Sequence, residues 1–187
     1  MKKILLLLMI MSSMLTYAQH HLKFKGVEMN GTIIAFADSL KKKGFIVDNQ
    51  DENTIWMNGT FVNEDVNIGI LSTPKTHKVC RLMVFFNKKD DWYSLKSQYN
   101  KLKENYEIKY EKDADYSFFS EPYYEGDGYE MTAVKNNKCR YSSFFKGEDG
   151  GINLEISKLA CVVIVYEDFK NTQLEKIEKR NIAIDDI

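Results

Sequence analysis

The sequence predicts an α+β fold of two tandem helix-plus-antiparallel-meander units, with helices on one face of the sheet or sheets and a further C-terminal helix. Three observations carry that expectation. Apolar residues recur at helical spacing in two well-separated stretches. Each stretch precedes runs with period-two alternation, bounded by short turns, as strands require. The two halves also match each other. Phe61-Val62-Asn63-Glu64-Asp65 aligns with Phe145-Lys146-Gly147-Glu148-Asp149, and Asn67-Ile68-Gly69-Ile70 aligns with Asn153-Leu154-Glu155-Ile156. Cys80 then falls opposite Cys161, and Phe85-Phe86 opposite Tyr166-Glu167.

Taken in order, residues 1–18 read as an export signal. Lys2-Lys3 is a basic leader, Ile4 to Leu15 is an apolar run broken by Ser12-Ser13, and Thr16-Tyr17-Ala18 suits cleavage after Ala18. The run is shorter than the roughly 20 apolar residues that span a bilayer, and no cysteine follows it to carry a lipid. The expected mature chain therefore starts at Gln19 and keeps no membrane span. Residues 22–27 alternate as a strand. Asn30-Gly31-Thr32 caps a helix whose apolar face is Ile33, Phe36, Ala37 and Leu40, with Lys41 to Lys43 at its C-terminal dipole and Gly44 as the stop.

Three strands follow. Ile55, Met57, Gly59 and Phe61 share one face of the first, and Asn63-Glu64-Asp65 turns the chain into Val66, Ile68 and Ile70. After a loop at residues 72–77, the run 79–86 is apolar enough to lie centrally in a sheet. The second unit opens with Asp91 capping a helix that carries Trp92, Leu95, Tyr99, Leu102 and Tyr106. An insert spans 110–131. Met131 to Val134 is then read as a strand, followed by a turn at Asn136-Asn137 and strands at 139–145, 152–156 and 159–166. Thr172-Gln173-Leu174-Glu175 is a capping box for a final helix with Leu174, Ile177 and Ile184. The units are thus 19–90 and 91–187.

Composition narrows the chemistry. With 187 residues, 44% of them hydrophobic, the chain can bury a substantial core; its 10 Gly and 2 Pro are too few for a collagen-like or low-complexity chain. Its 26 basic and 27 acidic residues leave no cationic footprint for nucleic acid. No phosphate-binding glycine loop and no Gly-x-Ser-x-Gly elbow is present. Of three histidines, His20 and His21 read as a frayed N-terminal tail and His77 as a solvated loop residue. Cys80, Cys139 and Cys161 are expected as buried small hydrophobes, with a single bridge plus one free thiol as the alternative. No cofactor or metal is implied.

The insert departs most from sheet-and-helix composition. It holds seven carboxylates, at 111, 113, 115, 121, 125, 127 and 130, against Lys112. Interleaved with them are Tyr110, Tyr116, Phe118, Phe119, Tyr123, Tyr124 and Tyr129. Rings beside acids can line a sugar subsite, grip a basic partner with tyrosine anchors, or hold Ca²⁺ through Glu125 and Asp127 at the Gly126 and Gly128 turn. They can also serve as structural cover. The candidate binding residues are Tyr116, Tyr123, Tyr124, Glu125, Asp127 and Tyr129, together with the open face of the sheet.

The runs HLKFKGVEMNGTIIAFADSLKKKGF (21–45), YYEGDGYEMTAVKNNKCRY (123–141) and ACVVIVYEDFKN (160–171) resemble a family of secreted proteins of gut Bacteroidetes. The resemblance spans nearly the whole mature chain; it implies secretion and assigns no activity. In plan the tandem unit is similar to the β-lactamase inhibitor proteins and to small outer-membrane assembly lipoproteins, a likeness of element order alone. The functional expectation is an exported, non-catalytic binding protein whose partner is a protein or a glycan and not a nucleic acid. A carbohydrate-active hydrolase or sugar-binding protein using the insert, and a structural envelope component, are the rival readings.

Overall fold

The computed structural model describes residues 20–147 and 149–186, so the expected signal segment and Gln19 lie outside the described residues. The N-terminal segment is a miniature hairpin, β1 (Lys23–Phe24) and β2 (Val27–Glu28), not one strand. Lys25 and Gly26 both take positive φ there and reverse the chain. Helix α1 (Ile33–Lys41) is capped by Thr32, whose hydroxyl accepts from the Ala35 amide. The first meander is β3 (Ile46–Gln50), β4 (Thr54–Phe61), β5 (Glu64–Ser72) and β6 (Val79–Phe86). Helix α2 (Trp92–Lys109) is capped by Asp91, which accepts from the Ser94 amide. Then come β7 (Glu111–Phe119), the short helix α3 (Glu130–Lys135), β8 (Cys139–Lys146), β9 (Gly150–Ser157), β10 (Cys161–Asp168) and α4 (Phe169–Asp185).

All eight long strands form one antiparallel sheet in the order β3-β4-β5-β6-β10-β9-β8-β7. The two meanders therefore meet at the centre, where Val84 of β6 faces Ile164 of β10. Alternation sends Ile55, Met57, Ile68, Ile70, Leu82, Val84, Leu154, Val162 and Ile164 to one side. There they join Ile33, Phe36, Ala37 and Leu40 of α1 and Leu95, Tyr99, Leu102 and Tyr106 of α2 in a single core. Each of these large side chains, fully buried, contributes about 1.5–3 kcal/mol.

Several expectations need correction. The first meander has four strands instead of three, and the second has its four with β7 in place of the strand expected at 131–134. The missed ones, β3 and β7, are the two sheet edges, and each carries a bulge, at Val47/Asn49 and at Lys112/Ala114. A bulge breaks the alternation that reveals a strand, and it also blunts an exposed edge. The first part of the insert, Glu111–Phe119, is therefore β7. Residues 131–134 are helical, not extended: β7 already occupies the free side of β8, which leaves this run no ladder to join. Leu82, Val84 and Phe86 of β6 and Val162, Ile164 and Tyr166 of β10 alternate into the core, and Val79 faces it as well because Cys80 is the extra residue of a bulge between Leu71↔Arg81 and Ser72↔Val79.

The last helix starts at Phe169, capped by Asp168, ahead of the Thr172 box. Its buried residues are polar: Asn171 donates to the carbonyls of Met29 and Val79, and Glu178 accepts from the amides of Lys75 and Thr76 and from the Thr76 hydroxyl. Ile177 and Ile184 face outward. His21 is no frayed tail. It is buried, with Nδ1 2.9 Å from Asp168 Oδ2. His77 is tied as well, its Nδ1 lying 3.1 Å from Asn53 Oδ1.

All three cysteines are buried free thiols, so the bridged alternative does not hold. Burial pushes Cys80 and Cys139 up to about 12 and raises Cys161 as well. Because the thiolate is the reacting species, all three are expected to resist iodoacetamide near pH 8 in the native state and to react once unfolded. Mass-resolved labelling checks this, and rapid native labelling of Cys80 or Cys161 would contradict it.

Candidate functional site

The sheet face opposite α1 and α2 is where the alternate residues of every strand emerge. From one edge to the other, cross-strand neighbours run Trp56, Gly69, Met83, Val165, Asn153, Phe144 and Ala114. The adjoining row runs Asn58, Asn67, Phe85, Val163, Glu155, Ser142 and Tyr116. Trp56, Met83, Phe85, Phe144 and Val165 are only half-buried. The indole of Trp56 sits 5.8 Å from the ring of Phe85 and lies over Gly69, where an added Cβ would come within 3.0 Å of it. Glycine at that position lets the indole rest on the sheet.

Polar pairs surround this apolar centre. Asn67 donates to Asn58 at 2.8 Å, Ser142 donates to Asn153 at 2.8 Å, and Asn153 donates to Glu155 at 2.9 Å. Arg81 and Glu167 form an ion pair at 2.6 Å. An apolar centre within a hydrogen-bonded polar border is the composition of a protein contact surface.

The six residues singled out from the sequence do not form one surface. Tyr116 stands on the open face, its ring 6.3 Å from Phe144 and under the Arg140 guanidinium, which is 4.6 Å from the ring centre. The other five lie on the loop between β7 and α3, which Glu125 ties to the helix side. Its carboxylate accepts from the Trp92 indole at 3.3 Å and the Tyr141 hydroxyl at 2.9 Å, and it pairs with Lys96. The Lys96 bond chiefly holds the Glu125 carboxyl below its ordinary range. Asp127 accepts from the amides of Tyr124 and Tyr129 at 3.1 and 2.7 Å, closing the turn in which Gly126 and Gly128 take positive φ. Tyr123 accepts from Asn136. Tyr124 and Tyr129 are exposed, at 65% and 64%.

The acids of the loop therefore hold the loop together instead of bordering its rings. Among the described residues, no three His, Cys, Asp or Glu side chains gather to hold a metal ion. Sequence reasoning did not single out Trp56, Met83, Phe85, Phe144 or Arg140. Only Met83 and Phe85 carried a signal, the apolar character of both faces of the 79–86 run, which points to a centre of a sheet without saying that one side stays uncovered.

The fold and this surface define an α+β protein built on an antiparallel sheet covered by helices on one face. No family model, curated protein or solved structure matches the chain significantly.

Proposed function

We propose that the protein is an exported, non-catalytic binding protein whose contact surface is the open face of the sheet. The observation that carries this reading is the contrast between the two faces: one is sealed by α1 and α2, while on the other Trp56, Met83 and Phe85 stay half-exposed across β4 to β6, with Phe144 beyond Asn153 on β8. Contiguous apolar surface within a polar rim marks an interaction site. A glycoside hydrolase needs two carboxylates across a cleft, about 5–9 Å apart. The loop acids Glu125 and Asp127 are each engaged by internal donors, which favours binding over hydrolysis. Export rests on the leader at residues 1–18.

Phe85→Arg places a charge at the centre of the face without opening the core. It is expected to abolish capture of partners from the secreted and envelope fractions while the melting temperature stays put. Tyr124→Ala combined with Tyr129→Ala should leave capture intact. Unchanged capture by Phe85→Arg, or its loss in the tyrosine pair, would overturn the assignment of the face. Mass spectrometry of the mature protein is expected to find Gln19 at its start; only the full-length species, in membranes, would overturn export.

A further inference from the structure

The sheet forks on its open face. The β8–β9 ladder runs from Lys146↔Gly151 to Ser142↔Glu155 and stops there. Beyond that pair, β8 continues on β7 as far as Cys139 and β9 continues on β10 as far as Ser157, yet among the described residues no ladder pair joins 139–141 to 156–158. The corresponding β4–β5 ladder is unbroken from Phe61↔Glu64 to Thr54↔Leu71. Two strands that part in this way turn main-chain N–H and C=O groups toward the opening. A depression of about 560 Å³ occupies the fork, within the size range of small-ligand sites.

Its lining combines three chemistries. Phe118, 47% exposed, and half-buried Phe144 line it with aromatic rings. Lys138, Arg140 and Lys158 bring three positive charges against the single carboxylate of Glu155, and among the described residues no ion pair engages any of these cations. Arg140 is held in place over the Tyr116 ring. The Ser142–Asn153–Glu155 chain adds hydrogen-bonding groups of fixed orientation. In a chain of net charge −1, this local excess of cations selects an anion.

We infer that the fork between β8 and β9 binds an acidic saccharide, a pyranose carrying one carboxylate; the inference rests on the open face being the binding face. Arg140 takes the carboxylate in a charge-assisted bond, for which its planar fork is suited. Phe118 and Phe144 stack on the C–H face of the ring, whose positive edge matches the negative face of an aromatic. Ser142 and Glu155 meet hydroxyls. Glu155 is the feature that selects a sugar over an acidic peptide: a carboxylate amid the cations accepts from hydroxyls but repels a second negative side chain.

The test titrates the full mature chain with three acidic probes, a galacturonate trimer, a glucuronate-containing oligosaccharide and sialyllactose. Lactose serves as a neutral control and a hexaglutamate peptide as the competitor class. Saturable binding of at least one acidic sugar is expected, at least tenfold tighter than lactose and weakening as salt rises. Arg140→Gln and Phe118→Ala should each reduce it at least tenfold with an unchanged melting temperature. No saturable binding of any of the three, tighter binding of hexaglutamate, or unchanged affinity in Arg140→Gln overturns the inference. If it fails while Phe85→Arg still abolishes partner capture, the ligand class alone is wrong; if Phe85→Arg has no effect on capture, the open-face reading itself falls.

Discussion

Asp168→Ala is expected to destabilise the protein by about 3–5 kcal/mol, the cost of breaking a buried polar pair and stranding its partner. Asp168 is buried at the junction of β10 and α4, and its carboxylate serves three donors on two parts of the chain. Oδ2 faces His21 Nδ1 at 2.9 Å and accepts from the Leu22 amide at 3.1 Å, while Oδ1 accepts from the Asn171 amide at 2.9 Å as the α4 cap. Truncation leaves a buried imidazole and two amides without their acceptor and releases the N-terminal segment from the last strand. In a chain of this size the melting temperature should fall by roughly 6–20 °C. Asp168→Asn keeps an acceptor and should cost less. Urea unfolding of the two variants measures the difference, and a loss below about 1 kcal/mol for Asp168→Ala, no more than a missing cap, would show that the clamp does not hold.

Phe24→Ala should cost about 3–5 kcal/mol as a cavity mutation. The residue sits on a hairpin of two-residue strands yet is 1% exposed. Its ring lies 5.0 Å from Phe61, 5.5 Å from Tyr166 and 6.1 Å from Phe45. These neighbours come from the loop after α1, from β4 and from β10, and Tyr166 also shares a buried hydroxyl contact with Tyr106 of α2. Removing Phe24 therefore empties a junction of both halves that rigid packing cannot refill. Phe24→Leu should cost less than half as much, and Phe118→Ala, an exposed position, should stay within about 0.5 kcal/mol of wild type. Equal losses for Phe24→Ala and Phe118→Ala would contradict this packing account.

The clamp and the plug both involve residues that the sequence presents as peripheral. His21 and Asp168 stand 147 positions apart, and nothing local to either announces the other. Glu178 is similar. In a helix pattern it reads as a solvated acid, but it is buried because the loop at 72–77 turns two amides and a hydroxyl toward it.

Elements governed by local chemistry were legible in the sequence by itself. The Thr32 and Asp91 caps, the apolar faces of α1 and α2, and the doubly apolar β6 and β10 all follow from side-chain spacing and from backbone groups within a turn of each other. Only the tertiary structure decided what depends on distant partners. β7 is a strand because β8 offers it an edge, and residues 130–135 coil because that edge is then taken. The carboxylates of Glu125 and Asp127 are engaged because donors from α2, β8 and their own turn reach their oxygens. The open face exists because α1 and α2 both pack on the other side of the sheet, and the fork exists because β8 and β9 follow different outer neighbours. Periodicity records which residues avoid water; it does not record which element arrives to exclude it.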